Sequence, residues 1–354
     1  KESIMKRHIP IVRNLDALYY LEIFIVCSVA SILVIRLFLH LTGYPQIGNS
    51  TLHIAHMLWG GLLMLIAIIM LFSFIGKRVE LWAAILGGVG FGTFIDEVGK
   101  FVTSDNDYFF EPSISIMYIV FILIILSIHM IRSGWTFTRK EYLVNALKGL
   151  EEVALQDLNQ EEKDRVIKYL EKSDPENPLT KSVRDLVSGS KLVPTSEPGF
   201  YTKSNTAFRN FYAKIVGYKY FRTAIVIFFA AKLLFTLTYV IVYTFFIGLG
   251  WDNILNIKIL DHVAEKTLNL TFIDKAQIFS SLLSGVFVLL GVYYIRTSRL
   301  ISYQMFERSV LVSILLTYVF IFYKEQFAAL TGLLVNILIL IALKLMIQGE
   351  EVKE

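Results

Sequence analysis

The sequence predicts an all-α fold: a polytopic membrane protein of about eight transmembrane helices with a small helical cytoplasmic insert. Three observations carry that expectation. The 354 residues are 55% hydrophobic and 18% charged, with a mean hydropathy of +0.59, whereas soluble domains carry about 25% charged residues. Apolar runs recur at lengths near the ~20 residues that cross a hydrocarbon core of about 30 Å. Basic residues collect in alternate loops, as a fixed membrane topology requires.

The apolar runs cover 18–42, 52–75, 80–102, 113–133, 221–249, 276–296, 309–323 and 326–348. The seventh is the shortest, because Lys324 and Glu325 interrupt what would otherwise be one long run. A polar stretch of roughly 17 residues precedes the first span, which is not the pattern of a cleavable signal peptide. Cys27, the single cysteine, lies inside that span, so no disulfide within the chain is available.

Basic residues mark the cytoplasmic side. Lys1, Lys6, Arg7 and Arg13 precede span 1, and Lys77 and Arg78 follow span 2. Arg132, Arg139 and Lys140 follow span 4, Lys214, Lys219 and Arg222 lead into span 5, and Arg296, Arg299 and Arg308 follow span 6. The opposite loops differ: 43–51 carries no charge, 103–112 carries only Asp105, Asp107 and Glu111, and 250–275 is mixed. Both termini are therefore expected in the cytoplasm. Trp59, Trp82, Trp135 and Trp251 fall near span ends or loops, as interfacial aromatics do. The sequons at Asn49 and Asn269 lie in outside loops and carry little weight. A net charge of only +4, placed in particular loops, argues against nucleic acid as a partner and for a topology signal; membrane lipids are the expected partners.

Three regions follow: a transmembrane half (1–133), an insert (134–220) and a second transmembrane half (221–354). In the insert, 138–157 places Leu143, Leu147, Leu150 and Val153 at helical spacing. Asn159 followed by Glu162 reads as a capping box opening a helix through Lys172, with Val166, Ile167 and Leu170 on one face. Pro175, Pro178, Pro194 and Pro198 mark a loop or linker. Residues 200–220 mix aromatic and basic side chains, which suits a helix lying on the inner membrane surface. The insert reads as a helical hairpin packed under the bundle; docking of a protein partner is the alternative.

The candidate site lies where ionisable groups enter the apolar runs, because such groups are costly in lipid and usually face a bundle interior or wet cavity. Span 2 opens with His53-Ile-Ala-His56-Met-Leu-Trp59-Gly60-Gly61; span 3 closes with Gly90-Phe-Gly92-Thr-Phe-Ile-Asp96-Glu97-Val-Gly99-Lys100. His53 and His56 share a helix face. Gly88, Gly92, Asp96 and Lys100 form an i,i+4 ladder whose glycines admit a neighbouring helix, with Gly60 and Gly61 as the matching contact. Glu97 points roughly 100° away from Asp96, so the two carboxylates need not serve one partner.

Three readings stay open. In the first, His56, Asp96 and Glu97 are catalytic, and His53, His56, Asp96 and Glu97 hold a divalent metal whose bound water attacks an ester or phosphodiester. That enzyme would be a membrane-embedded hydrolase or transferase. Arg36 and Lys100 would hold an anionic headgroup, and Asp105, Asp107 and Glu325 would shape the substrate side. No diagnostic spacing such as HExxH accompanies these residues. In the second, the cluster is a metal-free acid–base site, or the pocket of a transporter or channel for an ion or small polar solute. In the third, Asp96–Lys100 and Arg36 with an acid are structural ion pairs of a non-catalytic scaffold. Elsewhere, Lys232 is expected to pair across the bundle or snorkel, Asn336 to bond a neighbouring helix, and Ser280, Ser281 and Ser284 beside Gly285 to form a close-packing face.

The runs around His53–Gly61 and Gly90–Pro112 resemble a family of uncharacterised prokaryotic integral membrane proteins with a GFGTFIDEVGKFVTSDNDYFF-type motif. A more distant similarity is to VanZ-like and YjdF-like membrane proteins, which place a histidine, an acidic pair and a loop aspartate in the order of His56, Asp96-Glu97 and Asp105 or Asp107. The resemblance implies a shared four-helix core, a prokaryotic plasma membrane and chemistry of the cell envelope.

Overall fold

The computed structural model of the chain describes residues 11–43, 55–105, 107–108, 110–133, 136–194, 200–248 and 271–351. Every element within them is helical. Their contacts divide the chain into two compact units, Lys1–Tyr108 with Leu123–Glu197, and Phe109–Ile122 with Pro198–Glu354.

The first unit is built on α1 (Ala17–Thr42), α2 (His56–Ser73) and α3 (Lys77–Ile95), with the short α4 (Val98–Val102) after a turn at Asp96-Glu97. Burial is inverted relative to a water-soluble bundle. On α2 only Gly60 and Ala67 are buried, while Leu58, Leu62, Leu65, Ile69 and Phe72 face outward. Exposed apolar surface of this extent is an interaction surface. Small residues inside and large apolar residues outside are what a lipid-facing helix requires.

Glycines make α3 the central helix. A Cβ on Gly88 would lie 2.5 Å from the Phe24 carbonyl oxygen, and one on Gly92 would overlap that of Ser28, so this stripe faces α1. Gly90 and Gly60 face one another, each within 2.7 Å of the other's carbonyl oxygen if given a Cβ. The expected glycine ladder therefore packs on α1, and the partner of Gly60 is Gly90. Gly61 meets nothing within 4 Å.

The insert has a small apolar core of its own in the same unit. It comprises α6 (Arg139–Lys148), α7 (Leu150–Ala154), α8 (Gln160–Lys172) and α9 (Pro178–Gly189), after α5 (Pro112–Ser133). Leu143, Ala146, Leu158, Val166, Leu170, Val183 and Val187 are its buried centre, with Leu147, Leu150, Val153 and Ile167 packed against it. The Asn159–Glu162 capping box is formed, and Thr138–Glu141 makes a second one ahead of α6. The helix-like stretch 138–157 is broken at Gly149, against which Val166 packs. The expected linker between Pro175 and Pro198 instead contains α9: Pro178 is its first residue behind the Asn177 cap, a position where the missing N–H costs nothing.

Ion pairs fix the insert to one end of the helices. Lys77 Nζ stands 2.6 Å from Glu152 Oε1, Arg78 pairs with Asp157, and Lys148 pairs with Glu80. Arg13 bonds Glu141 through Nε at 2.7 Å and stacks on Phe137. These bonds from Arg13 hold the Glu141 carboxyl well below the usual carboxylate range. Burial pushes the Tyr169 hydroxyl up to about 12, and the nearby Asp16 carboxylate adds to this.

The second unit contains α10 (Phe200–Val216), α11 (Lys219–Gly248), α12 (Phe272–Tyr294) and a helical stretch that runs from Arg299 to Glu351. That stretch comprises α13 (Arg299–Val312), a π turn (Ser313–Thr317), α14 (Tyr318–Glu325), a 3₁₀ turn (Gln326–Ala328) and α15 (Ala329–Glu351). Gln326, at φ 51°, breaks it. The chain folds back there, because Asn336 Nδ2 reaches the Tyr318 hydroxyl at 3.0 Å and Gly332 packs against the same hydroxyl. The seventh apolar run is thus part of a longer limb that begins at Arg299. Lys324, just before the break, bonds Asp274 Oδ1 at 2.6 Å.

Candidate functional site

At the end of α3 remote from the insert, Asp96 and Glu97 sit in the turn before α4, both side chains wholly buried. Glu97 leaves helical geometry at φ −94°, ψ 8°, which breaks the i,i+4 ladder from Gly92 through Asp96 to Lys100. Close contact of α3 with α1 and α2 then presents the two carboxylates to both neighbours.

Asp96 receives α1 on one oxygen and the loop after α4 on the other. Arg36 Nε donates to Asp96 Oδ1 at 2.6 Å, and a second guanidinium nitrogen donates to the Asp96 carbonyl at 3.1 Å. The Tyr108 hydroxyl donates to Oδ2 at 2.8 Å, and the Arg36 guanidinium lies 4.2 Å above the Tyr108 ring. Glu97 receives α2: the Met57 backbone N–H donates to Oε2 at 2.9 Å. The N-cap residue Ala55 provides no side-chain cap, so Glu97 serves as the cap in trans, where a carboxylate also meets the positive end of the helix dipole. The Lys100 ammonium bonds the other oxygen of Glu97.

His56 stands between the carboxylates. Nε2 lies 3.2 Å from Asp96 Oδ2, Nδ1 lies 3.6 Å from Glu97 Oε2, and the ring meets Tyr108 edge-on. Nε2 is buried and off-line for a hydrogen bond, although its separation is that of an ion pair. The set balances two carboxylates against Arg36 and Lys100, with the His56 ring between them.

The sequence expectations meet this geometry unevenly. His56, Asp96, Glu97, Arg36 and Lys100 come together as one cluster. Lys100 pairs with Glu97 and not with Asp96, because the turn rotates the ladder. Asp105 is exposed, and the Asp107 backbone N–H donates to Thr103 Oγ1 at 2.8 Å. Glu325 is an exposed residue of the second unit. His53 lies outside the described residues, as do Trp135, Trp251 and both sequon asparagines.

Among the described residues no group of three or more His, Cys, Asp or Glu is arranged to hold an ion; His53, one of the four ligands expected, lies outside them. Arg36 and Lys100 pair with one oxygen of Asp96 and one of Glu97, and both would repel a divalent ion there. Tyr108 was not selected from the sequence, since tyrosine is ordinary in an outside loop. Its place directly after Asp107 in the long polar–aromatic run was the available signal.

Among the described residues the chain is all-α, with six helical stretches long and apolar enough to cross a membrane, three of which converge on a buried charge cluster. No family model, curated protein or solved structure matches the chain.

Proposed function

We propose that this protein is a polytopic membrane protein of eight crossings that holds the anionic headgroup of a lipid or lipid-linked substrate on the Arg36–His56–Lys100 face. The six apolar stretches, the 30-residue α11 and the fold-back at Gln326 support that number of crossings. The site and the insert lie at opposite ends of α3, whose 19 residues rise roughly 28 Å, close to the thickness of a hydrocarbon core. With the insert and the basic loops on the cytoplasmic side, the cluster opens at the outer leaflet.

One observation carries the reading. Both carboxylates are 0% exposed, whereas the side chains of Arg36, His56 and Lys100 remain 15%, 26% and 22% exposed. A group approaching from solvent meets nitrogen donors, with the acids hidden behind them. That arrangement suits a phosphate or similar anion. His56, oriented by Asp96 and Glu97, would transfer a proton to or from the bound group. The similarity to VanZ-like proteins agrees with an envelope substrate.

Turnover tests this. Purified protein is incubated with anionic phospholipids and lipid-linked phosphates, and products are followed by mass spectrometry. Headgroup release or transfer that is lost in His56→Gln, with folding retained, supports an enzyme. Binding without turnover in both proteins restricts the function to headgroup recognition.

A second reading rests on Glu97. Its bond to the Met57 N–H and its pairing with Lys100 are what a scaffold uses to lock two helices. If anionic lipid binds equally to the wild type and to Lys100→Met, the cluster is structural.

A further inference from the structure

The second unit carries an open pocket of about 550 Å³ between the first turns of α11 and α13 and the end of α12. Small-molecule sites span about 300–1,000 Å³. Arg222 and Thr223 of α11 and Arg299 and Tyr303 of α13 supply its polar lining. Val226, one turn further along α11, and Ile295, just after α12, supply apolar surface beside them. The residues lining the pocket include two cations and no Asp or Glu.

The two arginines are held differently. Arg222 donates through one terminal nitrogen to Glu350 Oε1 at 3.0 Å, which fixes the side chain. Its Nε–H is buried and has no hydrogen bond. A buried donor without a partner calls for a ligand or a bound water. Arg299 is exposed at the start of α13 and makes no ion pair among the described residues. Glu350 offsets at most one of the two charges, so the pocket stays electropositive.

A guanidinium presents paired, planar donors that match phosphate oxygens. Both arginines also belong to the basic residues that the sequence places at the cytoplasmic ends of the spans. Basic pockets between membrane helices on that side take lipid phosphates. The apolar surface decides between a lipid and a free ion. With a phosphate on the arginines, Val226 and Ile295 offer cover to the glycerol and the first acyl carbons, a gain that a free ion does not have.

We propose that this pocket binds the phosphate of an anionic phospholipid in the cytoplasmic leaflet, with Arg222 Nε and the Arg299 guanidinium as donors. It belongs to the second unit and shares no residue with the Arg36–His56–Lys100 face of the first. The leaflet follows from the topology proposed above; the pocket itself does not depend on it.

Isothermal titration of the full-length protein in an uncharged detergent tests the proposal, with short-chain phosphatidylglycerol, short-chain phosphatidylcholine and sodium phosphate as separate probes. Lys100→Met, at a temperature where it is folded, removes the contribution of the first cluster. Saturable phosphatidylglycerol binding should persist in that variant and be tighter than that of either other probe. Adding Arg299→Gln should weaken it about tenfold, because one charge-assisted contact is gone. Arg299→Gln breaks no ion pair among the described residues and should leave the thermal midpoint unchanged. No saturable phosphatidylglycerol binding in folded Lys100→Met, or binding there that Arg299→Gln leaves unchanged or phosphatidylcholine matches, would overturn the proposal. Sodium phosphate binding as tightly as the lipid would also overturn it and leave a site for free phosphate.

Discussion

The two polar clusters solve the same problem in opposite ways. The first brings α1, α2 and α3 together through full charges, with Asp96 and Glu97 buried beneath Arg36, Lys100 and His56. The second joins α11, α12 and the π turn through hydroxyls and one ammonium. Charges in a low-dielectric setting are costly to bury and costly to break. Hydroxyl networks are individually weaker, and they leave room for a cavity. In the first the acids are wholly buried and the cations partly exposed, whereas the second, from Lys232 through Ser313 to Ser284, borders a pocket.

The largest expected effect tests the charged cluster. Asp96→Asn leaves Arg36 facing a neutral amide and should destabilise the fold by about 3–5 kcal/mol, read as a lowered thermal midpoint in detergent. Adding Arg36→Met should recover part of that loss, since the cost lies in an unbalanced charge. A double variant no better than the single one would detach Arg36 from Asp96.

Next comes Gly92→Ala. Its new methyl would overlap the Ser28 carbonyl and force α1 from α3, at about 1–3 kcal/mol. Gly61→Ala, where nothing lies within 4 Å, is the matched control and should be nearly silent. Equal effects of the two would contradict the packing of α3 on α1.

A smaller change is expected from Ser284→Ala, about 1 kcal/mol for one link of a hydroxyl chain. A loss as large as that of Asp96→Asn would erase the contrast between the clusters.

The smallest concerns pH and the insert. The Glu141 carboxyl is held below its ordinary value of 4.5 by Arg13. Its contribution is therefore complete above about pH 4.5 and is lost as the pH falls from there toward the lowered folded-state value. Thermal midpoints of wild type and Glu141→Gln should differ at pH 7 and converge in acid. A constant difference across that range would remove Arg13–Glu141 as the cause.

The sequence made the first cluster legible and the second only in part, for physical reasons. Asp96, Glu97, Arg36, Lys100 and His56 announced themselves because charge in an apolar run is rare. Tyr108 did not, and the bond from the Met57 N–H to Glu97 could not, since a backbone donor carries no side-chain signature. The turn at Asp96-Glu97 exchanged the partner of Lys100, a change that helical spacing cannot foresee. In the second unit Lys232, Asn336 and Ser284 were visible one at a time. The pocket beside them is lined in part by a π turn at Ser313–Thr317, which no residue pattern marks. Pro178 misled as a breaker, because its place at the first turn of α9 depends on the Asn177 cap ahead of it.

The most direct test of the account is retention of an anionic phospholipid at the first cluster. Native mass spectrometry of protein released from nanodiscs containing phosphatidylglycerol and phosphatidylcholine should show bound phosphatidylglycerol on the wild type. Lys100→Met leaves the buried Glu97 carboxylate without its ammonium and should lower the thermal midpoint; compared at a temperature where both proteins are folded, it should retain about tenfold less at that cluster. Equal retention of the two lipids by the wild type, or of phosphatidylglycerol by both proteins, would contradict a headgroup site over the buried carboxylates.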